Sequence, residues 1–229
     1  MKYPNFFFER RLWEKGYKFV AGCDEVGRGS FAGPIVAGCI IFALMTNYEL
    51  RIMNNELKLK GIKINDSKKL TARQRERADS WIKRNAAGWG TGEESVASIN
   101  KIGIGKAAKR AFRKAISEAR KRLGRPIDYL LIDAFFIPYT PGLPAKRKRR
   151  QLPIIDGDAK SLTIGAASII AKVYRDRLMS RLSKQSKFKK YGWGRNKGYG
   201  TAEHQTAILR FGITRNHRKL FLRKLRIAN

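Results

Sequence analysis

Residues 18–44 read KFVAGCDEVGRGSFAGPIVAGCIIFAL, and their pattern decides the fold class. Segment 18–23 is apolar-rich and closes on Asp24-Glu25, which predicts a strand ending in two carboxylates. Gly27-Arg28-Gly29 is one turn and Gly33-Pro34 another, since glycine and proline punctuate regular structure. Residues 35–44 follow as a nearly continuous apolar run containing Val and Ile, the signature of a strand buried on both faces. The two strands are expected to pair antiparallel across the intervening loop.

Outward from this unit, strands and helices alternate. Thr71 is a good N-cap for a polar helix reaching about residue 85, and 89–96 is a candidate third strand. Ala108, Phe112, Ala115, Ile116, Ala119 and Leu123 fall on one helical face, and Gly124, Arg125 and Pro126 stop that helix. Residues 129–133 form a short hydrophobic strand ending in Asp133. A loop containing Lys146-Arg147-Lys148-Arg149-Arg150 leads to another short strand at 152–155, followed by Asp156-Gly157-Asp158. A helix is expected over 161–183, with Leu162, Ala166, Ile169 and Val173 on one stripe. The basic, aromatic tail from 187 to 229 holds helices near 201–211 and 219–225. This order predicts an α/β layer fold with one mixed sheet.

Composition narrows the function. A hydrophobic fraction of 43% over 229 residues suits one compact domain and excludes a disordered chain. No apolar run approaches the roughly 20 residues of a membrane span. Phe6-Phe7-Phe8 is followed at once by Glu9, Arg10 and Arg11, unlike a secretion signal. The reading is a cytoplasmic monomer without a membrane partner. Cys23 and Cys39 lie in apolar segments and are read as buried, reduced thiols. Fifty Lys and Arg against eighteen Asp and Glu give a net charge of +32, which attracts polyanions and makes nucleic acid the expected partner. Charge alone does not separate an enzyme from a passive binder such as a ribosomal component. In so basic a chain, carboxylates gathered at strand ends (Asp24-Glu25, Asp133 and Asp158) favour the enzyme. Their hard oxygens suit Mg2+ or Mn2+ and phosphodiester chemistry.

Longer motifs sharpen this. Ala21-Gly22-Cys23-Asp24-Glu25-Val26-Gly27-Arg28-Gly29 resembles the opening motif of the type 2 ribonucleases H (ribonuclease HII). Asp66-Ser67-Lys68-Lys69-Leu70, Leu131-Ile132-Asp133 and Gly157-Asp158 resemble its later motifs. So does the stretch from Ala166-Ala167-Ser168 to Tyr174-Arg175-Asp176. Lys197-Gly198-Tyr199-Gly200-Thr201 with His204, and Gly212-Ile213-Thr214 with His217-Arg218, resemble the C-terminal ones. The matches keep the family order from about residue 20 to 221. About 20 residues precede the first strand, whereas type 3 enzymes carry a sizeable N-terminal extension.

The resemblance implies a ribonuclease H-like mixed sheet flanked by helices, with a C-terminal helical extension. Residues 1–185 would form the catalytic domain and 186–229 the extension packed on it. It implies cleavage 5′ of ribonucleotides in RNA–DNA hybrids and in duplex DNA containing single ribonucleotides, with two Mg2+ or Mn2+ ions. Asp24, Glu25, Asp133 and Asp158 would be the catalytic metal ligands. Gly27, Arg28, Gly29, Lys68 and Tyr199 would bind substrate, the turn reading the ribose 2′-hydroxyl and the tyrosine stacking on the neighbouring sugar. Asp176, between Arg175 and Arg177, and Asp156 are weaker rivals for the fourth acid. His204 and His217 are read as structural. Ser30 stands where the family more often has proline, Ala134-Phe135-Phe136 where a glycine commonly follows the acid, and no serine precedes Phe221.

Overall fold

A computed structural model of the chain describes residues 4–134, 136–137, 150–223 and 225. The described elements are α1 (Phe7–Trp13), β1 (Phe19–Val26), β2 (Ile35–Ala43), α2 (Asn47–Leu59), a 3-10 turn (Ser67–Lys69), α3 (Ala72–Asn85) and β3 (Gly88–Glu94). Then come α4 (Val96–Ile102), α5 (Ile104–Leu123), β4 (Tyr129–Asp133), β5 (Gln151–Ile154), α6 (Gly157–Lys160) and α7 (Leu162–Ser183). Finally there are α8 (Ser186–Lys189), α9 (Trp193–Asn196), α10 (Ala202–Phe211) and α11 (Lys219–Leu222). The strands form one mixed sheet in the order β3-β2-β1-β4-β5. β1 and β2 pair antiparallel, as the opening stretch predicts, and β1, β4 and β5 run parallel. Of the basic loop at 146–150, only Arg150 lies within the described residues.

Both faces of the sheet are covered. Ala21, Cys23, Ile41, Leu130 and Ile132 pack against Ala108, Phe112, Ala115 and Ile116 of α5 on one face. Val20, Ile40, Phe42 and Leu131 pack against Ile164, Ala167 and Ile170 of α7 on the other, with α2 and α3 behind. Cys23 and Cys39 are free, buried and opposite one another in the register, in keeping with reduced core thiols.

α7 departs from the single stripe expected. Thr163, Ile164, Gly165, Ala167, Ser168, Ile170 and Ala171 are buried along with Leu162, Ala166 and Ile169. Over residues 162–171 it is buried on every side, between the sheet, α1 and α3, and its charged residues begin only at Lys172. Its close approach to the sheet needs the glycines of the strands: a β-carbon on Gly22 would collide with the Thr163 backbone, and one on Gly38 with the Ala167 carbonyl. Glu9 of α1, fully buried, accepts from Ser161 Oγ at 2.6 Å and from the Thr163 amide at 3.1 Å. That places a carboxylate at the positive N-terminus of α7. The helices α1, α2, α4, α6, α8 and α9 went unread in the sequence. α2 is announced by a capping box, Thr46 with Glu49, and α1 is too short to show a period. No helix among the described residues is long and apolar enough to cross a membrane.

The tail folds back on the rest. Phe188, Tyr191, Trp193, Ala207, Ile208 and Leu222 form a third apolar cluster with Met179 of α7 and Ala32 of the β1–β2 loop.

Candidate active site

The parallel register sets the site. Cys23 is opposite Ile132, so Asp24 and Glu25 lie beside Asp133 at the C-terminal ends of β1 and β4, where α/β sheets gather their ligands. β1 runs one residue beyond Glu25, to Val26. Asp158 departs from the strand-end expectation. β5 stops at Ile154, the chain reverses through Asp156 at φ 54°, and Asp158 sits in the first turn of α6. The Gly157 amide donates to Asp133 Oδ1 at 2.7 Å and ties this turn to β4. Ser161 then caps α7 by accepting from the Ile164 amide.

The carboxylates feel one another. Burial and then the charge of Glu25 push Asp24 well above the usual carboxylate range, with Asp133 and Asp158 adding and a bond from Ser168 opposing. Glu25 is raised by burial against the bond and charge of Arg28, which sits 3.1 Å away. Asp133 is raised by burial, opposed by the Gly157 amide and Lys68. Burial, Asp66 and Asp133 push Asp158 up to about 6. Lys68 is pulled down by burial, but Asp66, Asp158 and Asp24 more than offset this and raise it.

Mutual repulsion of hard oxygen donors is what a divalent cation such as Mg2+ or Mn2+ relieves, so this donor set fits one. Among the described residues no three such groups have already closed on a common point. One oxygen of each is engaged within the protein: Asp133 Oδ1 by the Gly157 amide, Glu25 Oε1 by Arg28, and Asp24 Oδ1 by the Glu25 amide at 2.7 Å.

Gly27, Arg28 and Gly29 follow directly on β1, with Arg28 and Gly29 exposed and Gly27 buried at φ 90°. A β-carbon on Gly27 would run into the Arg175 guanidinium. Tyr199 is half-buried, with Lys172 Nζ and Arg175 Cζ each 5.4 Å from its ring centroid. The Gly198 carbonyl accepts from the amides of Phe31 at 2.8 Å and Ala32 at 3.0 Å, so the tyrosine segment is stitched to the glycine loop. Lys68 is positioned from α3: Arg75 Nη1 donates to the carbonyls of Ser67 at 3.0 Å and Leu70 at 2.5 Å.

The histidines are structural in this geometry. The Thr214 amide donates to His217 Nδ1 at 2.8 Å, which leaves the proton on His217 Nε2. That nitrogen is 3.2 Å from His204 Nε2, which also accepts from Trp193 Nε1 at 3.0 Å. His204 Nδ1 then donates to the Tyr199 carbonyl at 2.9 Å. Each ring is satisfied only when neutral. Burial, then the charge of His204, pushes His217 down to about 4 from its ordinary 6.5. Above pH 6.5 both folded and unfolded states are neutral there, so the stability is fully present. Between about 6.5 and about 4 only the unfolded state takes up the proton, and stability is lost. The melting temperature is therefore expected to fall on acidification through this window. His217→Asn should melt lower at neutral pH but show a shallower slope; an equal slope would remove the histidine from the explanation.

A sequence model of the family described as Ribonuclease HII matches residues 21–225, which include Asp24, Glu25, Lys68, Asp133, Asp158 and Tyr199. The chain belongs to the ribonuclease HII family. It is 40% identical over 219 residues to the Ribonuclease HII of Caldanaerobacter subterraneus subsp. tengcongensis, covering 96% of this chain and 80% of that one. The ribonuclease H2 of Pyrococcus horikoshii OT3 shares the fold, with a TM-score of 0.65 at 24% identity over 90% of this chain and 96% of that one. Bst-RNase HIII in complex with Mn2+ shares it at 0.64 and 17%, over 90% of this chain and 65% of that one. Membership makes the chain a type 2 ribonuclease H, a hydrolase that cuts nucleic acid internally.

Within this ribonuclease HII chain the rival acids are accounted for. Asp176 is paired to Lys172 Nζ at 2.8 Å and Arg75 Nη2 at 3.4 Å, so a salt bridge holds it, though not with its neighbours in sequence. Arg177 pairs instead with Glu76, and Arg175 turns into the interior. Asp156 is exposed. The sequence reading took only the lysine from Asp66-Ser67-Lys68 and no site residue from the long α7 motif. It thereby missed Asp66, bonded to Asp158, and Ser168, bonded to Asp24 and, at 2.9 Å, to Ser67. Both lay inside quoted motifs, and that was the available signal.

Proposed function

We propose that this ribonuclease HII hydrolyses the phosphodiester 5′ of a ribonucleotide in RNA–DNA hybrids and in duplex DNA carrying single ribonucleotides, leaving 3′-hydroxyl and 5′-phosphate ends. The observation that carries the reading is the register that sets Asp24 and Glu25 beside Asp133, one turn away from the glycine loop. Asp24, Glu25, Asp133 and Asp158 would hold Mg2+ or Mn2+, two ions in all; a structural relative bound to Mn2+ supports that choice. When bound, these ions supply an activated water and stabilise the departing 3′ oxygen.

The chain's own residues do the rest. Gly157 and Ser168 orient the carboxylates through the bonds described above. Lys68, its charge reinforced by the acids, contacts the phosphate next to the cleaved bond. The 27–29 loop presents backbone groups to the 2′-hydroxyl, and Tyr199 stacks on the adjoining sugar. Residues 1–185 would be the catalytic unit and 186–229 a basic extension completing the substrate face, the whole acting as a monomer.

The test is a labelled DNA duplex with one ribonucleotide, run beside a long hybrid and an all-DNA duplex, with Mg2+ or Mn2+. Cleavage 5′ of the ribonucleotide and none of the all-DNA duplex is expected. Cleavage of the long hybrid alone would remove the single-ribonucleotide part of the proposal. The net charge of +32 carries its own expectation. Duplex affinity should drop steeply with salt, and neutralising Lys146-Arg147-Lys148-Arg149-Arg150 should flatten the log–log slope; an unchanged slope would show that this loop does not touch the duplex.

A further inference from the structure

Two arginines lie fully buried beneath the substrate-facing loop. Arg175 of α7 donates through Nε to the Pro34 carbonyl at 3.0 Å, through Nη2 to Ala32 at 3.0 Å and through Nη1 to Lys197 at 2.9 Å. Arg218, at the start of α11, donates through Nε to Gly33 at 2.9 Å and through Nη1 to Gly27 at 2.6 Å and Arg28 at 3.0 Å. The carbonyls of Gly27, Arg28, Ala32, Gly33 and Pro34 are thus all gripped from below. From the side, the Gly33 amide donates to Asn216 at 2.9 Å and the Arg218 amide to Phe31 at 2.8 Å. Only the tip, Arg28 and Gly29, is exposed.

This is a poor way to stabilise a fold. Among the described residues neither guanidinium has a carboxylate partner, and Arg218 Nη2 is buried with no partner at all. Burial, then the charge of Arg175, pushes Arg218 down to about 9. Apolar side chains would fill the same space without desolvating two like charges. What they would not supply is a rigid fork of donors that fixes the orientation of several peptide planes at once. Arg175 also lies against the ring of Tyr199, so one guanidinium touches both elements assigned to the ribonucleotide.

We propose that Arg175 and Arg218 are positioning residues that lock the flanks of the 27–34 loop, holding the Arg28–Gly29 tip in the one shape that recognises a ribose 2′-hydroxyl. They thereby set the preference for ribonucleotide over deoxyribonucleotide without touching the substrate. The inference rests on the reading of that loop given under Proposed function.

The experiment measures binding, without divalent metal, to two duplexes that differ by a single 2′-hydroxyl. It compares the unmodified protein with Arg218→Lys and Arg175→Lys, which keep the charge but lose the fork. Affinity for the all-DNA duplex should stay within about twofold, because the phosphate-binding charge is unchanged. The preference for the ribonucleotide duplex should fall by about tenfold, or to unity if that is reached first. A merely structural role would weaken both duplexes equally, and that outcome overturns the proposal, as does an unchanged preference. Equal binding of the two duplexes by the unmodified protein overturns the loop's reading itself, and no other outcome does so. Should neither variant fold, amide hydrogen exchange in the unmodified protein decides. Protection of residues 30–33 comparable to β1 supports the lock, and exchange at the rate of an unstructured loop overturns it.

Discussion

Asp133→Asn is expected to lower kcat several hundredfold while leaving duplex binding intact. The side chain keeps its shape, and the remaining Oδ1 still accepts from the Gly157 amide, so β4 and α6 stay tied. What disappears is one negative charge from a set of mutually repelling carboxylates. If Asp133 is a metal ligand, that removes about 3–4 kcal/mol of transition-state stabilisation. Thermal stability should be unchanged or slightly higher, because burial and neighbouring acids already penalise the charged form of Asp133. Affinity for a polyanion should hold or rise. Single-turnover kinetics together with a binding isotherm separate these effects. Activity within tenfold of the unmodified protein would take Asp133 out of the site.

Gly22→Ala is expected to destabilise the fold strongly and to disturb the site with it. Gly22 is on β1, two residues before Asp24, and a β-carbon there would sit inside van der Waals contact of the Thr163 and Ile164 backbone at the start of α7. Backbone cannot swing aside as the end of a flexible side chain can. The helix must lift from the sheet, and Glu9, bonded to Ser161 and Thr163, must move with it. Overpacking of this kind costs about 1–3 kcal/mol, or roughly 2–12 °C in Tm for a chain of this size. Because α7 also carries Ser168, the bond to Asp24 is stretched, and kcat should fall along with Tm. A variant that melts normally would show that α7 does not rest on Gly22.

The β1–loop–β2 unit was legible because both of its signals are local: an apolar run buried on two faces, and glycines that stop it. The cap Thr71 and the stop at Gly124 were legible for the same reason, and so was the start of α7 near 161, though not Ser161 as its cap. β3 was harder, since GWGTGEE has little strand propensity and its glycines make room for α5 rather than for pairing. The depth of α7 did not show, because a stripe at helical spacing reads the same whether one face or all faces are buried. The grouping of Asp24, Glu25, Asp133 and Asp158 was readable from motif order, yet the position of Asp158 was misread as a strand end. The left-handed turn at Asp156 leaves no signature in residue types that turns do not share. Arg175 and Arg218 were the least visible. Arginine in a chain of net charge +32 is read as surface, and only packing reveals that these two are not.

The stitching of Phe31 and Ala32 to Gly198, and of Gly33 to Asn216, has a consequence for how the molecule comes into being. The four carboxylates are all present by residue 158, and the sheet and α7 that hold them by residue 183. The groups that stitch the glycine loop from the far side arrive only with residues 197–218. A chain emerging from the ribosome therefore passes through a stage in which the acids have been made but the loop beside them is not yet braced. On the proposed reading of the 27–34 loop and Tyr199, competence to choose a substrate would follow only once residues 197–218 have docked on that loop.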